Sequence, residues 1–307
     1  MTDQRTPEPT TETTGAAARR VVALMNQKGG VGKTTTTVNL AAGFAQAGKR
    51  TLLIDLDPQA HATLHLGVDP RESERTVYDA LHDPATAPEA VQTVRENLDL
   101  LPAEVDLAAA ETELAEGARR HRRLAETLAA LPPYEVVLID CPPSLGLLTL
   151  NALAASDEVL VPMQAQFLAL QGVGKLLETV SMVASSLNPR LRVLGVTLCM
   201  HDDNTRLGRE VIADLESFFA DARQRATPWS DAAVFRPAVR RHIKLAEAAS
   251  FGQTIFEYAP GLAGAEDYGA LTRAILARWA ERASGGAPEA TPEIVVRPAE
   301  GERVHRA

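Results

Sequence analysis

Residues 26–35 read Asn-Gln-Lys-Gly-Gly-Val-Gly-Lys-Thr-Thr, directly behind the apolar run Val21–Met25 and ahead of a stretch with helical periodicity. Few short strings constrain a fold as tightly. Glycines let the backbone curl until successive N–H groups point inward, and the N-terminus of a helix beginning near Lys33 adds partial positive charge. Such a loop is built for an anion. Lys33 is placed to neutralise the β- and γ-phosphates of a nucleotide, and the Thr34 hydroxyl to coordinate Mg²⁺. The cradle then comprises Lys28, Gly29, Gly30, Val31, Gly32, Lys33, Thr34 and Thr35, with Gln27 where the common phosphate-loop pattern has glycine.

The rest of the chain repeats the strand-then-helix order. Apolar, β-branched runs at Val21–Met25, Thr51–Ile54, Leu98–Leu101, Val136–Ile139, Glu158–Val161 and Val193–Leu198 alternate with longer helical segments. Continuous apolar runs joined by helices predict strands buried on both faces, because each parallel crossover needs a dozen or more residues. The expected fold is therefore α/β, a doubly wound, mostly parallel sheet with helices on both faces, over residues 19–283. Residues 1–18 and 284–307 lack large apolar side chains or are broken by Gly and Pro, and they read as disordered tails.

Two further segments end apolar strands in acid: Leu52-Leu53-Ile54-Asp55-Leu56-Asp57-Pro58-Gln59 and Val136-Val137-Leu138-Ile139-Asp140-Cys141-Pro142-Pro143. A carboxylate at the carboxyl end of a parallel strand lies at the crevice where open α/β sheets bind ligands. Asp140 is the candidate for holding Mg²⁺ through water. Asp57 is the candidate for orienting the attacking water or sensing the γ-phosphate, with Asp55 next in line.

The string Lys28-Gly29-Gly30-Val31-Gly32-Lys33-Thr34-Thr35 resembles the deviant Walker A motif of the ParA/MinD family of P-loop ATPases, and the two acidic segments resemble that family's other nucleotide motifs. The resemblance extends to Val161-Pro162-Met163-Gln164 and Arg206, and the stretch Leu245-Ala246-Glu247-Ala248-Ala249-Ser250-Phe251-Gly252 resembles the ParA/Soj branch more than MinD. The resemblance implies ATP and Mg²⁺ as cofactors, weak intrinsic hydrolysis, and a Lys28 that reaches across a two-fold interface to the partner's nucleotide. ATP then holds a homodimer, and hydrolysis releases it. Departures occur at Ala60 and His61, where Gly-Asn is usual, at Gln166 and Gln171, where acids are common, and at Ala249, where Pro is common. His61 and His65 read as switch-loop or surface residues, since no third ligand of suitable spacing accompanies them.

Composition narrows the partners. A formal net charge of −9 excludes a surface coated in basic charge, so any DNA contact comes from a local patch. Aromatics at 4% argue against a stacking platform for single strands. The two cysteines, Cys141 and Cys199, lack metal or disulfide spacing and fit a reducing cytoplasm. Val234–Lys244 carries Arg236, Arg240, Arg241 and Lys244 without an acid, and Arg206 with Arg209 opens a separate predicted helix. By resemblance to ParA/Soj relatives these six residues are the candidates for binding double-stranded DNA nonspecifically. Arg119–Arg123 reads as an exposed helix face. No apolar run approaches the roughly 20 residues of a membrane span, and no amphipathic C-terminal helix follows the helical stretch Tyr268–Ala283, so membrane binding is not expected. The expected role is nucleoid-associated segregation of chromosome or plasmid DNA, with a ParB-like activator. The alternative is a positioning ATPase of the same fold for a protein cargo or on a membrane, as in MinD.

Overall fold

The computed structural model describes residues 19–166, 169–202 and 205–284; the expected tails, apart from Ser284, lie outside the described residues. In chain order the elements are β1 (Arg20–Leu24), α1 (Lys33–Gln46), β2 (Thr51–Asp55), α2 (His61–His65), α3 (Val77–His82), α4 (Ala87–Ala90), β3 (Gln92–Arg95) and β4 (Leu98–Leu101). Then follow α5 (Leu107–Glu113), α6 (Arg123–Ala130), β5 (Val136–Asp140), α7 (Leu147–Ala155), β6 (Glu158–Met163) and α8 (Ala169–Ser186). The last are β7 (Arg192–Leu198), α9 (Arg206–Ala222), β8 (Ala233–Phe235), α10 (Ile243–Ser250), α11 (Ile255–Tyr258) and α12 (Ala263–Ser284).

The strands form one eight-stranded sheet in the order β3-β4-β2-β5-β1-β6-β7-β8. Only β3 runs antiparallel, against β4. Side chains along each strand alternate between two cores, as the pleat requires. Val21, Ala23, Leu52, Ile54, Val137 and Ile139 enter the core under α3–α9, whereas Val22, Leu24, Leu53, Val136 and Leu138 enter the core under α1 and α10–α12. Both faces are thus covered, which is why these strands read as unbroken apolar runs. In the second core Phe44 of α1 stacks on Trp279 of α12 with ring centroids 5.2 Å apart.

All six expected strands are present, with ends shifted by at most two residues. Two more were not expected. β3 is largely half-exposed and polar and carries no apolar run, and β8, Ala-Val-Phe, is apolar but only three residues long. The expected helix Tyr268–Ala283 begins earlier, at Ala263. Arg119–Arg122 precede α6 instead of forming part of a helix face, and Arg119 and Arg123 both face Glu126.

Register places the acids. Leu24 and Asp55 both lie beside Asp140, so β1, β2 and β5 end level with one another at one edge of the sheet. The phosphate loop leaves β1, the strand between β5 and β6, at that same edge.

Candidate nucleotide site

Gly30 and Gly32 occupy left-handed backbone, with φ of 70° and 91°. At Gly32 space is also tight: a Cβ would lie 3.3 Å from Cys199 Cβ, closer than ordinary van der Waals contact. The loop therefore has to be glycine there to turn into α1. Asn26 fixes its start, donating to the Pro162 carbonyl at 2.8 Å and accepting from the Lys28 N–H at 2.9 Å.

α1 opens Lys-Thr-Thr-Thr-Thr, a run of β-branched residues with modest helix propensity. Their hydroxyls explain the choice. Thr34 Oγ1 lies 2.7 Å from Asp140 Oδ2, Thr37 Oγ1 lies 2.8 Å from Asp140 Oδ1, and Thr36 Oγ1 lies 3.1 Å from the buried Tyr268 hydroxyl. Lys33 Nζ completes the group, 3.0 Å from Asp140 Oδ1 and 4.0 Å from Asp57 Oδ2. Burial works against the charge of Lys33, but Asp140, by its charge and hydrogen bond, more than offsets it and raises the lysine's pKa. A fully buried carboxylate with an ammonium and two hydroxyls around it is stable only because each of its oxygens is satisfied.

Asp57 and Asp55, two residues apart, have different surroundings. Asp57 lines the cleft and caps its own loop, accepting from the Gln59 N–H at 3.0 Å. Asp55 is fully buried and accepts from the Thr63 N–H and hydroxyl, both at 2.8 Å, and from the Asp57 N–H at 3.2 Å. Burial, then the charge of Asp140, pushes its carboxyl up to about 7. Asp55 thus holds the loop that carries Asp57.

The cleft itself has a volume of about 610 Å³, within the range of small-ligand sites, and Lys28, Gly30, Lys33, Thr34, Asp57 and His61 line it. All eight expected cradle residues lie on this loop and helix start; Lys28 is exposed at the rim, whereas Val31 is buried behind it. A second hollow of about 480 Å³, not anticipated from sequence, adjoins Gly32 and Thr35 and has Met200, Val239, Ile243 and Leu245 as apolar walls. Its walls come from the segments after β7 and β8 and from α10, far from the phosphate loop in sequence, and no local pattern marks them.

Of the two readings for His65, a switch-loop or a surface residue, burial removes the second: it lies in α2 at the base of the cleft, and burial pushes its imidazole down to about 4. Its helix, α2, is tied to the turn after α10, where Arg95 donates to the carbonyls of Leu66 at 2.6 Å and Gly252 at 2.8 Å. Both thiols are buried, and burial pushes Cys141 up to about 12 and Cys199 to about 11, so neither serves as a thiolate nucleophile.

The six basic candidates are also brought to the carboxyl end of the sheet, beyond β7 and β8, but most face acids. Arg206 pairs with Glu210 at 2.7 Å, Arg236 with Glu216 at 2.8 Å, Lys244 with Glu247 at 2.6 Å, and Arg240 with the buried Asp267 at 2.7 Å. Arg209 also has an interaction partner. Arg241 is exposed, borders the apolar hollow and, among the described residues, enters no ion pair. No helix among the described residues is long and apolar enough to cross a membrane.

Comparison with known proteins supplies the family. An AAA domain family model matches residues 19–193. The sporulation initiation inhibitor protein Soj of Bacillus subtilis is 44% identical over 260 residues, spanning 84% of this chain and 98% of Soj. The chromosome partitioning protein ParA of Caulobacter vibrioides is 42% identical over 267 residues, 86% of this chain and 96% of ParA. Among solved structures, cobyrinic acid a,c-diamide synthase from Mycobacterium smegmatis with bound ATP analog and magnesium is 37% identical, covers 88% of this chain and 97% of its own, and superposes with a TM-score of 0.73. With its P-loop fold, its lysine-rimmed phosphate loop and these identities over most of its length, the chain belongs to the Soj/ParA family of chromosome-partitioning ATPases.

Proposed function

We propose that this protein is an ATP-switched partitioning ATPase that binds ATP and Mg²⁺ in the cleft, dimerises when ATP is bound, grips DNA without regard to sequence, and hydrolyses ATP faster when a ParB-like partner docks. The observation that carries this reading is the division of labour between two lysines on one loop. Lys33 is buried against Asp140 and Asp57, where it meets the phosphates of its own protomer's nucleotide. Lys28 stands exposed at the rim of the same cleft, on the side open to a nucleotide presented by a second copy.

The site fits both cofactors. Thr34 and Asp140 offer hard oxygen donors side by side, the kind Mg²⁺ prefers, and the glycine turn leaves room for phosphate against backbone N–H groups. When bound, Mg²⁺ neutralises charge on the β- and γ-phosphates. Asp140 would hold it through water and Thr34 directly. Lys33 exchanges Asp140 for phosphate oxygens, and Asp57, anchored by its capping bond and by Asp55 behind it, orients the attacking water. The apolar hollow beside Gly32 takes the base. Identities of 44% to Soj and 42% to ParA, against 37% to the mycobacterial neighbour, favour partitioning over the synthase chemistry named for that neighbour.

DNA contact falls to the basic residues beyond β7 and β8. Arg206 and Arg236 are in exposed ion pairs, worth at most about 1 kcal/mol each, and can trade a carboxylate for a phosphate. Arg241 needs no such exchange. Dimerisation doubles this charge on one face, which converts weak contacts into avidity. The protein then acts in the cytoplasm, on the nucleoid.

The test is ATP turnover and sedimentation of the full chain with Mg·ATP, alone, with duplexes of unrelated sequence, with anionic liposomes, and with a purified ParB-like protein. Co-sedimentation with any duplex, dependent on ATP, and turnover stimulated by DNA and the ParB-like protein together are expected. Pelleting with liposomes instead of DNA would replace this reading with a membrane-positioning one.

A further inference from the structure

Two side-chain hydrogen bonds tie the phosphate loop to the segment that follows β6, and a third joins them within that segment. Lys28 Nζ donates to Gln166 Oε1. Gln166 Nε2 donates to Gln164 Oε1 at 2.6 Å, and Gln164 Nε2 in turn donates to the Gly30 carbonyl at 3.0 Å and approaches Met200 Sδ at 3.1 Å. The direction is set by chemistry. An ammonium has only hydrogens to give, so Gln166 must turn its oxygen to Lys28, which leaves its NH₂ for Gln164.

The relay therefore touches both ends of the cleft, Lys28 at the rim and Met200 at the boundary with the apolar hollow. Beneath it lies a cavity of about 180 Å³ lined by Val31, Met163, Val173 and Leu176. Ala165 packs at the edge of the core, whereas Gln164 and Gln166 line the cavity, so hydrogen bonds and not packing are what tie the two glutamine side chains to the loop.

We propose that Gln166 is a positioning residue for Lys28: its amide parks the lysine against its own protomer and gives it up when a partner's phosphate is presented. The inference rests on the reading of Lys28 as the lysine that crosses the interface. A neutral acceptor suits this task because an ammonium–phosphate contact is stronger than an ammonium–amide one, so the exchange is favourable once the partner arrives. A carboxylate at 166 would do the opposite on two counts. It would hold Lys28 as an ion pair, and it would have no N–H for Gln164 Oε1, cutting Lys28 off from the bonds that Gln164 makes to Gly30 and Met200.

The experiment measures, for wild type, Gln166→Glu and Gln166→Ala, the Mg·ATP concentration at half-maximal dimerisation by light scattering, at about 50 mM and about 300 mM salt, with monomer nucleotide affinity titrated separately. Gln166→Glu is expected to raise the midpoint about two- to fivefold at low salt, the range an exposed ion pair supplies, and the shift should shrink at high salt as the pair is screened. Gln166→Ala should lower the midpoint or leave Lys28 available at no higher ATP than wild type, without the salt signature. Nucleotide affinity and thermal midpoint should stay unchanged in both. A wild type that dimerises while both variants match it at both salt concentrations would overturn the positioning role alone. A wild type that binds ATP yet stays monomeric would remove the underlying reading of Lys28 and the inference with it.

Discussion

Two groups of cations sit at the carboxyl end of this sheet, and they are held in different ways. At the phosphate loop, Lys33 and two threonine hydroxyls converge on one fully buried carboxylate, Asp140. At the β7–β8 edge, Arg206, Arg236 and Lys244 each meet a separate acid with both partners at least about a third exposed. Burial makes the first group interdependent, since removing one member leaves the others with an uncompensated charge. Solvent makes the second group nearly independent, so its members can change partner cheaply. The first arrangement suits a site that must hold one geometry; the second suits a surface that must release what it grips. Arg240 is the exception that sharpens the contrast: its guanidinium and backbone N–H both bind the buried Asp267, which ties the segment after β8 to α12.

The largest test of the comparison is Lys33→Ala. A charge-assisted hydrogen bond is worth about 1.5–3 kcal/mol and the lysine serves two phosphates, so ATP affinity should fall at least about 100-fold. Nucleotide titration measures it, and wild-type affinity in the variant would detach the loop from phosphate binding. Next is Asp57→Ala, expected to keep ATP bound while slowing turnover roughly 100-fold, the lower range for a group that handles the reacting proton or water. A dimer that persists on gel filtration with ATP checks it; unchanged turnover would put the water-orienting role on another residue.

His65 extends the comparison to pH. Its imidazole falls from 6.5 to about 4 on folding, so the unfolded chain takes up a proton that the folded protein refuses. That contribution is whole above about pH 6.5 and is lost as pH falls toward about 4, on the order of 3 kcal/mol in all. Urea midpoints at pH 7 and pH 5 should converge in His65→Gln relative to wild type; parallel pH dependence in the two proteins would assign the titration elsewhere.

The smallest effects belong to the basic edge and separate two adjacent arginines. Arg241→Ala should leave the thermal midpoint unchanged, weaken ATP-dependent binding of unrelated duplexes, and flatten the slope of log affinity against log salt by about 0.9 for each phosphate that is no longer neutralised. Arg206→Ala, in an exposed pair, should behave similarly but more weakly. Arg240→Ala should instead lower the thermal midpoint by a few degrees, because Asp267 stays buried without its cation. Equal salt slopes in wild type, Arg241→Ala and Arg206→Ala would remove this edge from DNA binding.

Much of the nucleotide end was legible from residues alone. Lys33 and Asp140 stand 107 positions apart, yet the strand-loop-helix string and the acid closing a second apolar strand bring them together in any doubly wound sheet. β3 and β8 were not legible, since one is polar and half-exposed and the other too short to show a period. Asp57 ranks ahead of Asp55 in the sequence, but the physical reason is tertiary: the contact with Thr63 takes Asp55, the last residue of β2, out of the cleft.

The segment Val234–Lys244 marks the limit most clearly. Its own residues contain no acid, but Glu216, Glu247 and Asp267 come to it from α9, α10 and α12. The sequence by itself determined the α/β architecture, the phosphate loop and the strand-end acids. These follow from backbone rules that act over a few residues: glycine in left-handed turns, period-two burial, and helix termini that attract anions. Tertiary structure alone decided which charges are locked and which remain exchangeable, where the apolar hollow forms, and that Gln166 faces Lys28. Apart from the one-turn pairs Arg206–Glu210 and Lys244–Glu247, those outcomes depend on distances between elements far apart in the chain, and Coulomb and hydrogen-bond energies are set by those distances and by burial, which no local pattern encodes.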